Sequence, residues 1–336
     1  MRTATVIFAV FTALVVPTRS PGQELPPPRL APTPAPPPIP ATDPWLLALA
    51  QSFILPTPPV ADDEGLTVRG SSVGYIDPAA PGNQVILRSD FGYDFRFPSR
   101  AEFFYAKARP GGPGLPFPEQ SVDYQNLSLY AETLLGPRAS VFVEGGVRFL
   151  NPVVNANAAG YGDMNVGFKY AFLANECSLA TFQFRTYVPS GDPHRGLGTS
   201  NVSLEPGLLG FTRLTDRLGL AGELRYWVPV GGTDFAGSVF RYGLGFRYDL
   251  WEAGQVRVIP VAEVVGWTVL DGRQPIFPPT GVAASESAAG TSIVNVKIGG
   301  RVDLTDRAGI YVGYGRAITG ERWYTDVLRL DFRWLY

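Results

Sequence analysis

From about residue 84 to its end, the chain alternates apolar and polar positions with a period of two, the side-chain period of a β-strand. The clearest run is the last. Leu328, Leu330, Phe332, Trp334 and Tyr336 share one face, and Arg329, Asp331 and Arg333 share the other. The pattern recurs upstream. Phe91, Tyr93, Phe95 and Phe97 oppose Asp90, Gly92, Asp94 and Arg96, and Val141, Val143, Val147 and Phe149 oppose Glu144, Gly146 and Arg148. Val166, Phe168, Tyr170 and Phe172 oppose Asn165, Gly167 and Lys169, and Phe182, Phe184 and Val188 oppose Gln183 and Arg185. Leu220, Leu224 and Tyr226 oppose Glu223 and Arg225, and Phe240, Tyr242, Leu244 and Phe246 oppose Arg241, Gly243, Gly245 and Arg247. Val294, Val296, Ile298 and Val302 oppose Asn295, Lys297 and Arg301. Segments near 121–134, 200–212 and 307–318 are weaker but strand-like. The segment 256–269 is apolar on both faces, which leaves its orientation open.

These runs predict about twelve strands, most of them close to the roughly 9–11 residues that cross a bilayer. Short polar turns near Gly136-Pro137, Ala174-Asn175, Thr215-Asp216, Ala253-Gly254 and Thr305-Asp306 alternate with longer connections near 98–120, 150–161, 189–200, 229–238, 270–291 and 318–325. That asymmetry is expected of an outer-membrane barrel, whose turns are short on one side and long on the other. Hydrocarbon offers no partner to a backbone N–H or C=O, so a sheet crosses it only when closed. The expected fold is therefore all-β, a closed antiparallel transmembrane β-barrel spanning 84–336. Its last strand should close beside the first, with Tyr336 near residues 91–97.

The polar face then lines the lumen. The candidates are Asp94, Arg96, Glu144, Arg148, Lys169, Arg185, Glu223, Arg225, Arg241, Arg247, Lys297, Arg301, Arg329 and Arg333. Both signs of charge are present, which suits a wet path for solute or a closed, salt-bridged interior. Inward glycines such as Gly92, Gly146, Gly167, Gly243 and Gly245 leave room and favour the path. On the lipid face the same charges would cost about 2–4 kcal/mol each at the midplane. Tyr187, Tyr226, Trp251, Trp323, Trp334 and Tyr336 fall near strand ends, where aromatic girdles form.

The segment before residue 84 is of another kind. Arg2 and the apolar run 3–16 read as a secretory signal over 1–22, with Ser20 and Gly22 at the cleavage site. About 14 apolar residues are too few to span a bilayer as a helix. Residues 23–83 form a Pro-rich periplasmic arm, because proline fixes φ and removes a sheet donor. Within it, 44–55 has the marks of a short helix, capped by Asp43 and ended by Pro56. It reads more readily as a sticky linker than as a plug or dock.

Composition agrees. Charged residues are 17% of the 336 and aromatics 12%, against roughly 25% charged in soluble domains. An isoelectric point near 5.6 gives no reason to expect nucleic acid. Cys177 is alone, so no intramolecular disulfide is possible, and no metal-ligand spacing or cofactor motif occurs.

The motif Gly160-Tyr161-Gly162-Asp163 opening a strand, and Val188-Pro189-Ser190-Gly191-Asp192 followed by Gly196-Leu197-Gly198-Thr199, resemble features of the outer-membrane proteins associated with the meta-cleavage pathway of phenol degradation. Ser190 stands where that family has Thr. The resemblance covers about 150–320 and implies a channel for small, often hydrophobic compounds. Asp163 and Asp192 suit turn formation rather than binding. The C-terminal aromatic strand resembles the assembly signal of bacterial outer-membrane barrels, carried here by Phe332, Trp334 and Tyr336.

The expected function is an outer-membrane channel for small solutes. The expected partners are outer-membrane lipid, the barrel-assembly machinery and the solute, with a cell-wall or envelope partner for the arm. The alternatives are a structural barrel tethered by the arm and a barrel hydrolase. The hydrolase would need His194, the one histidine, which sits in a Gly/Pro loop with no ordered nucleophile implied. No catalytic role is therefore expected.

Overall fold

In a computed structural model, the structure describes residues 67–96, 114–117, 119, 121–276, 284–320 and 323–336. The signal segment and helix 44–55 lie outside the described residues. Twelve long strands run in chain order: β1 Gln84–Phe95, β2 Val122–Gly136, β3 Ala139–Pro152, β4 Met164–Ala174, β5 Ser178–Val188 and β6 Val202–Arg213, then β7 Leu218–Val230, β8 Val239–Tyr248, β9 Val256–Val269, β10 Ser292–Asp303, β11 Ala308–Ala317 and β12 Asp326–Leu335. Each pairs antiparallel with its neighbours in sequence, and β12 pairs with β1, so the sheet closes without an edge. Short strands attach at Ala158–Tyr161 on β3 and Trp251–Ala253 on β9, and Arg273–Ile276 pairs with Ala284–Ser287 beyond the wall.

The closing register is Gln84 opposite Leu335 and Phe91 opposite Leu328. Tyr336 therefore lies beside Asn83, whose carbonyl accepts from its N–H at 3.2 Å, and not beside residues 91–97. Antiparallel closure brings the end of one strand to the start of the other. Short turns and both ends of the barrel chain share one end, called here the turn end. Long connections share the other, the loop end.

The outward face is apolar and exposed. Leu87, Leu129, Phe168, Leu244, Ile298 and Phe332 belong to a belt that continues around the wall. A soluble surface rarely carries so large a continuous apolar patch, whereas a lipid-facing barrel requires it. Tyr226, Trp251, Trp334 and Tyr336 stand outward near the strand ends. Tyr187 and Trp323 do not join a girdle. Both are buried on the inside, Tyr187 against Trp227 with ring centroids 5.0 Å apart and Trp323 against Trp267 at 4.5 Å.

One strand breaks its phase. Asp94 has φ 52° and the β1–β2 register shifts between Gly92 and Phe95. The bulge turns Phe95 inward, where it is 2% exposed. A bulge re-aims every side chain after it, so the alternation expected of this run does not persist through 94–96.

Candidate functional site

The interior is organised by a segment with no strand character. Residues 67–83, expected in the periplasmic arm, lie inside the barrel. Thr67 caps a single helical turn, α1 Val68–Ser71, by accepting from the N–H of Gly70 at 3.0 Å. The chain then rises from the turn end to mid-barrel at Gly74, Tyr75, Ile76 and Asp77, and returns to the turn end to start β1. Val73, Ile76, Ala79 and Ala80 are buried in one core with Ile259, Val261, Val265 and Trp267 of β9. This settles the open orientation of 256–269. Glu263 points in, together with an apolar face that meets an apolar insert.

A buried backbone without a sheet partner needs donors and acceptors from somewhere, and here the wall supplies them. Glu263 accepts from the N–H groups of Gly74, Tyr75 and Ile76 at 3.3, 2.8 and 2.9 Å. Arg301 donates to the carbonyl of Val73 at 2.5 Å, and Arg247 to those of Arg69 and Gly70. Lys169 donates to the carbonyl of Pro78 at 3.2 Å and to Glu132 at 3.1 Å, and Thr181 donates to that of Ala79 at 2.6 Å. Arg333 donates to the Ser72 hydroxyl. Arg185 and Arg225 hold the Asp77 carboxylate at 2.8 and 2.9 Å.

Tyr75 stands at the apex among cations. Its ring centroid is 3.6 Å from Lys297 Nζ and 3.9 and 5.2 Å from the guanidinium carbons of Arg329 and Arg241. Cations over an aromatic face are attracted by its quadrupole, more strongly once water is excluded. Gly243 and Gly245, expected to leave room for a path, accept the insert instead. An added Cβ on either would lie 3.1–3.4 Å from Ile76 Cδ1. Other inward glycines are covered by wall rings, Gly92 by Tyr124 and Gly167 by Phe142.

Beyond the apex, towards the loop end, lies a cavity of about 120 Å³, room for several waters. Arg88, Arg148, Arg185, Arg225, Arg241 and Arg329 line it, with Asp77, Asp90, Glu144 and Asp163. Of the expected lumen residues, Glu144 joins these on the cavity wall. Lys169, Glu223, Arg247, Lys297, Arg301 and Arg333 are buried in the interior. Asp94 and Arg96 leave the inner wall because of the bulge. They pair with each other at 2.8 Å at the rim, with the Arg96 side chain 48% exposed. Asp94 there also accepts from Ser121 and Thr325. Sequence reasoning missed Tyr75, Asp77 and Glu263. The signal that pointed to them was the doubly apolar β9, since an apolar inner face in a charged lumen needs an apolar occupant.

The two glycine motifs clasp each other. Asp163 accepts from the N–H of Gly191 at 3.0 Å and from the N–H and hydroxyl of Thr199, both at 2.9 Å. Ser190 Oγ donates to the carbonyl of Gly162 and accepts from the N–H of Met164. The loop between β3 and β4 is thus tied to that between β5 and β6. Burial pushes the Asp163 carboxyl above its ordinary range, against the pull of these donors. His194 is exposed, and Ser190 is already committed to backbone partners. Among the described residues no cluster of His, Cys, Asp and Glu could hold a metal ion.

The fold is similar to the crystal structure of an outer-membrane channel from Pseudomonas putida F1, at 12% identity over 78% of this chain and 100% of that one, with a TM-score of 0.50. The KdgM porin matches at 11% identity over 75% of this chain and 99% of that one, with a TM-score of 0.41. The β domain of the Bordetella autotransporter BrkA matches at 11% over 76% and 100%, with a TM-score of 0.46. The first likeness is one of barrel fold, and the other two are too loose to carry an argument. No protein-family model and no curated protein matches the chain.

Proposed function

We propose that this chain is an outer-membrane channel for small solutes whose inner half is occupied by its own segment 67–83. The observation that carries this reading is the closed wall, apolar outside, around a charged interior that keeps a cavity at its loop end. A barrel built only to hold itself together gains nothing from leaving charged side chains around a void, since buried charge is costly unless fully paired. In this reading the short turns face the periplasm and the long loops face outward. Phe332, Trp334 and Tyr336 engage the assembly machinery, and the exposed belt engages lipid. A cell-wall or envelope partner would take the Pro-rich arm. The motifs around Asp163 and Asp192 support kinship with the transport proteins of the phenol meta-cleavage pathway, in which the clasp would have a structural role. The chain acts without catalysis.

A structural, non-conducting barrel is the competing reading, favoured by the insert that fills the turn end. Purified full-length protein in planar bilayers separates the two. Discrete single-channel steps are expected from a channel. Their absence, together with no solute uptake by liposomes carrying the heat-modifiable folded form, would establish the closed barrel instead.

A further inference from the structure

The charges around the cavity are not evenly matched. Arg88 is bound by Asp331 and Glu144, Arg185 by Asp77, Arg241 by Glu223, and Arg329 by both oxygens of Asp90. Arg225 is bound by Asp77, Glu205 and Glu223. The four carboxylates on the lining are engaged as well. Asp77 and Asp90 hold arginines, Glu144 holds Arg88, Ser128 and Asn165, and Asp163 holds the loop clasp. Arg148 stands apart. Among the described residues it makes no ion pair and no hydrogen bond, and its Nε is buried without a partner. Its nearest described contacts are the Tyr124 ring, 6.0 Å from guanidinium carbon to centroid, and the more distant charge of Asp163, on which it pulls without reaching ion-pair distance.

A partly buried guanidinium with no carboxylate at hydrogen-bonding distance is costly even with Asp163 farther off, and its planar fork fits a carboxylate through two parallel hydrogen bonds. We propose that the loop-end cavity is a binding site for a small organic carboxylate, gripped by Arg148. This inference rests on the channel reading only for how the ligand arrives. Asn126 lies directly opposite Arg148 across the β2–β3 ladder and also faces the cavity, so its amide supplies a further donor. Phe95, Tyr124, Tyr187 and Leu150 give the same cavity an apolar side. That side distinguishes an organic anion from an inorganic one. Glu144 and Asp163 are on the same lining and disfavour a second negative charge, so a monocarboxylate fits better than a diacid.

Benzoate and its neutral analogue benzyl alcohol test this by calorimetric titration of the detergent-solubilised full chain. The wild-type protein should bind benzoate and should bind benzyl alcohol at least roughly tenfold more weakly, as loss of a charged, forked contact implies. Arg148→Gln should lose benzoate binding to a similar degree, and Arg148→Lys should keep part of it. Equal binding of the two compounds, or of benzoate to wild type and a correctly folded Arg148→Gln, overturns the proposal. If the variant does not fold, the wild-type comparison alone decides. Binding without bilayer conductance would retain this site and remove the channel. Conductance without binding would do the reverse.

Discussion

The two halves of the lumen are built from the same strands with the same alternation, yet they end differently. At the turn end, Lys169, Arg247 and Arg301 spend their hydrogen bonds on carbonyls of an inserted segment. At the loop end, arginines of the same wall surround a cavity. The set of inward charges therefore does not decide whether a barrel is filled or open. What decides is whether a segment with unpaired backbone groups and a few apolar side chains is available to meet those charges. Lys169 and Glu132 are fully buried and paired, a state that is tolerable because each is bonded on several sides. If the insert left, water would replace it, and hydrated charges in a lumen cost little.

Removing the insert is the largest perturbation of this contrast. Deleting residues 67–80 should leave a folded barrel, because the wall pairs only with itself. It should raise single-channel conductance by roughly tenfold or more, since pore width dominates conduction in such barrels. Unchanged conductance would show that the turn-end half does not limit flow. A single atom group should do part of the same. A Cβ at Gly74 would lie 2.1 Å from the Tyr311 hydroxyl and 2.6 Å from Glu263 Oε2. Gly74→Leu should therefore destabilise the inserted position by about 1–3 kcal/mol through overpacking. Higher conductance with an unaltered heat-modifiable gel shift would place that cost on the insert and not on the wall.

How much of this was legible follows the same division. The wall was readable because its signal is local and repeated. Arg329, Asp331 and Arg333 point in and Leu330, Phe332 and Trp334 point out, as their alternation requires. The alternation of short and long connections gave the even strand number and the common end for both termini of the barrel. The insert was not readable by period, since residues 67–83 contain no repeat and their partners lie on strands distant in sequence, such as Glu263 and Arg301. The bulge at Asp94 was equally hidden. Its run of aromatics looks regular, and one residue at positive φ reverses the faces of Phe95 and Arg96. The cavity residue Arg148 was placed on the inner wall by pattern alone. That no carboxylate bonds to it depends on which carboxylates its neighbours and the loop clasp capture, and no one-dimensional pattern carries that.

A milder change at the turn end addresses the grip on the insert. Glu263→Gln preserves shape but replaces charged acceptance from Gly74, Tyr75 and Ile76 with neutral bonds. Bonds to a charged group are worth roughly 1.5–3 kcal/mol against about 1 for neutral ones, so the inserted position should weaken by about 1–3 kcal/mol. The expected result is more frequent transient openings in single-channel records, with little change in the resting level. A record identical to wild type, with no added openings, would mean that the cation cage around Tyr75 holds the segment without help from Glu263.

The smallest expected effect lies at the loop end and serves as the contrast to the other three. Asp163→Asn exchanges a carboxylate that receives donors from Gly191 and Thr199 for an amide that can accept at only one oxygen. The clasp between the two glycine motifs should loosen by about 1 kcal/mol, the net worth of an ordinary hydrogen bond. The readout is a lower unfolding temperature of the detergent-solubilised barrel. Conductance should stay at the wild-type level, because the clasp touches the loops and the insert is held from the other end by Glu263, Lys169, Arg247 and Arg301. If conductance rose instead, the two halves would not be independent. The loop clasp would then be acting through the Arg185 and Arg225 pair on Asp77, the point at which the insert meets the floor of the cavity.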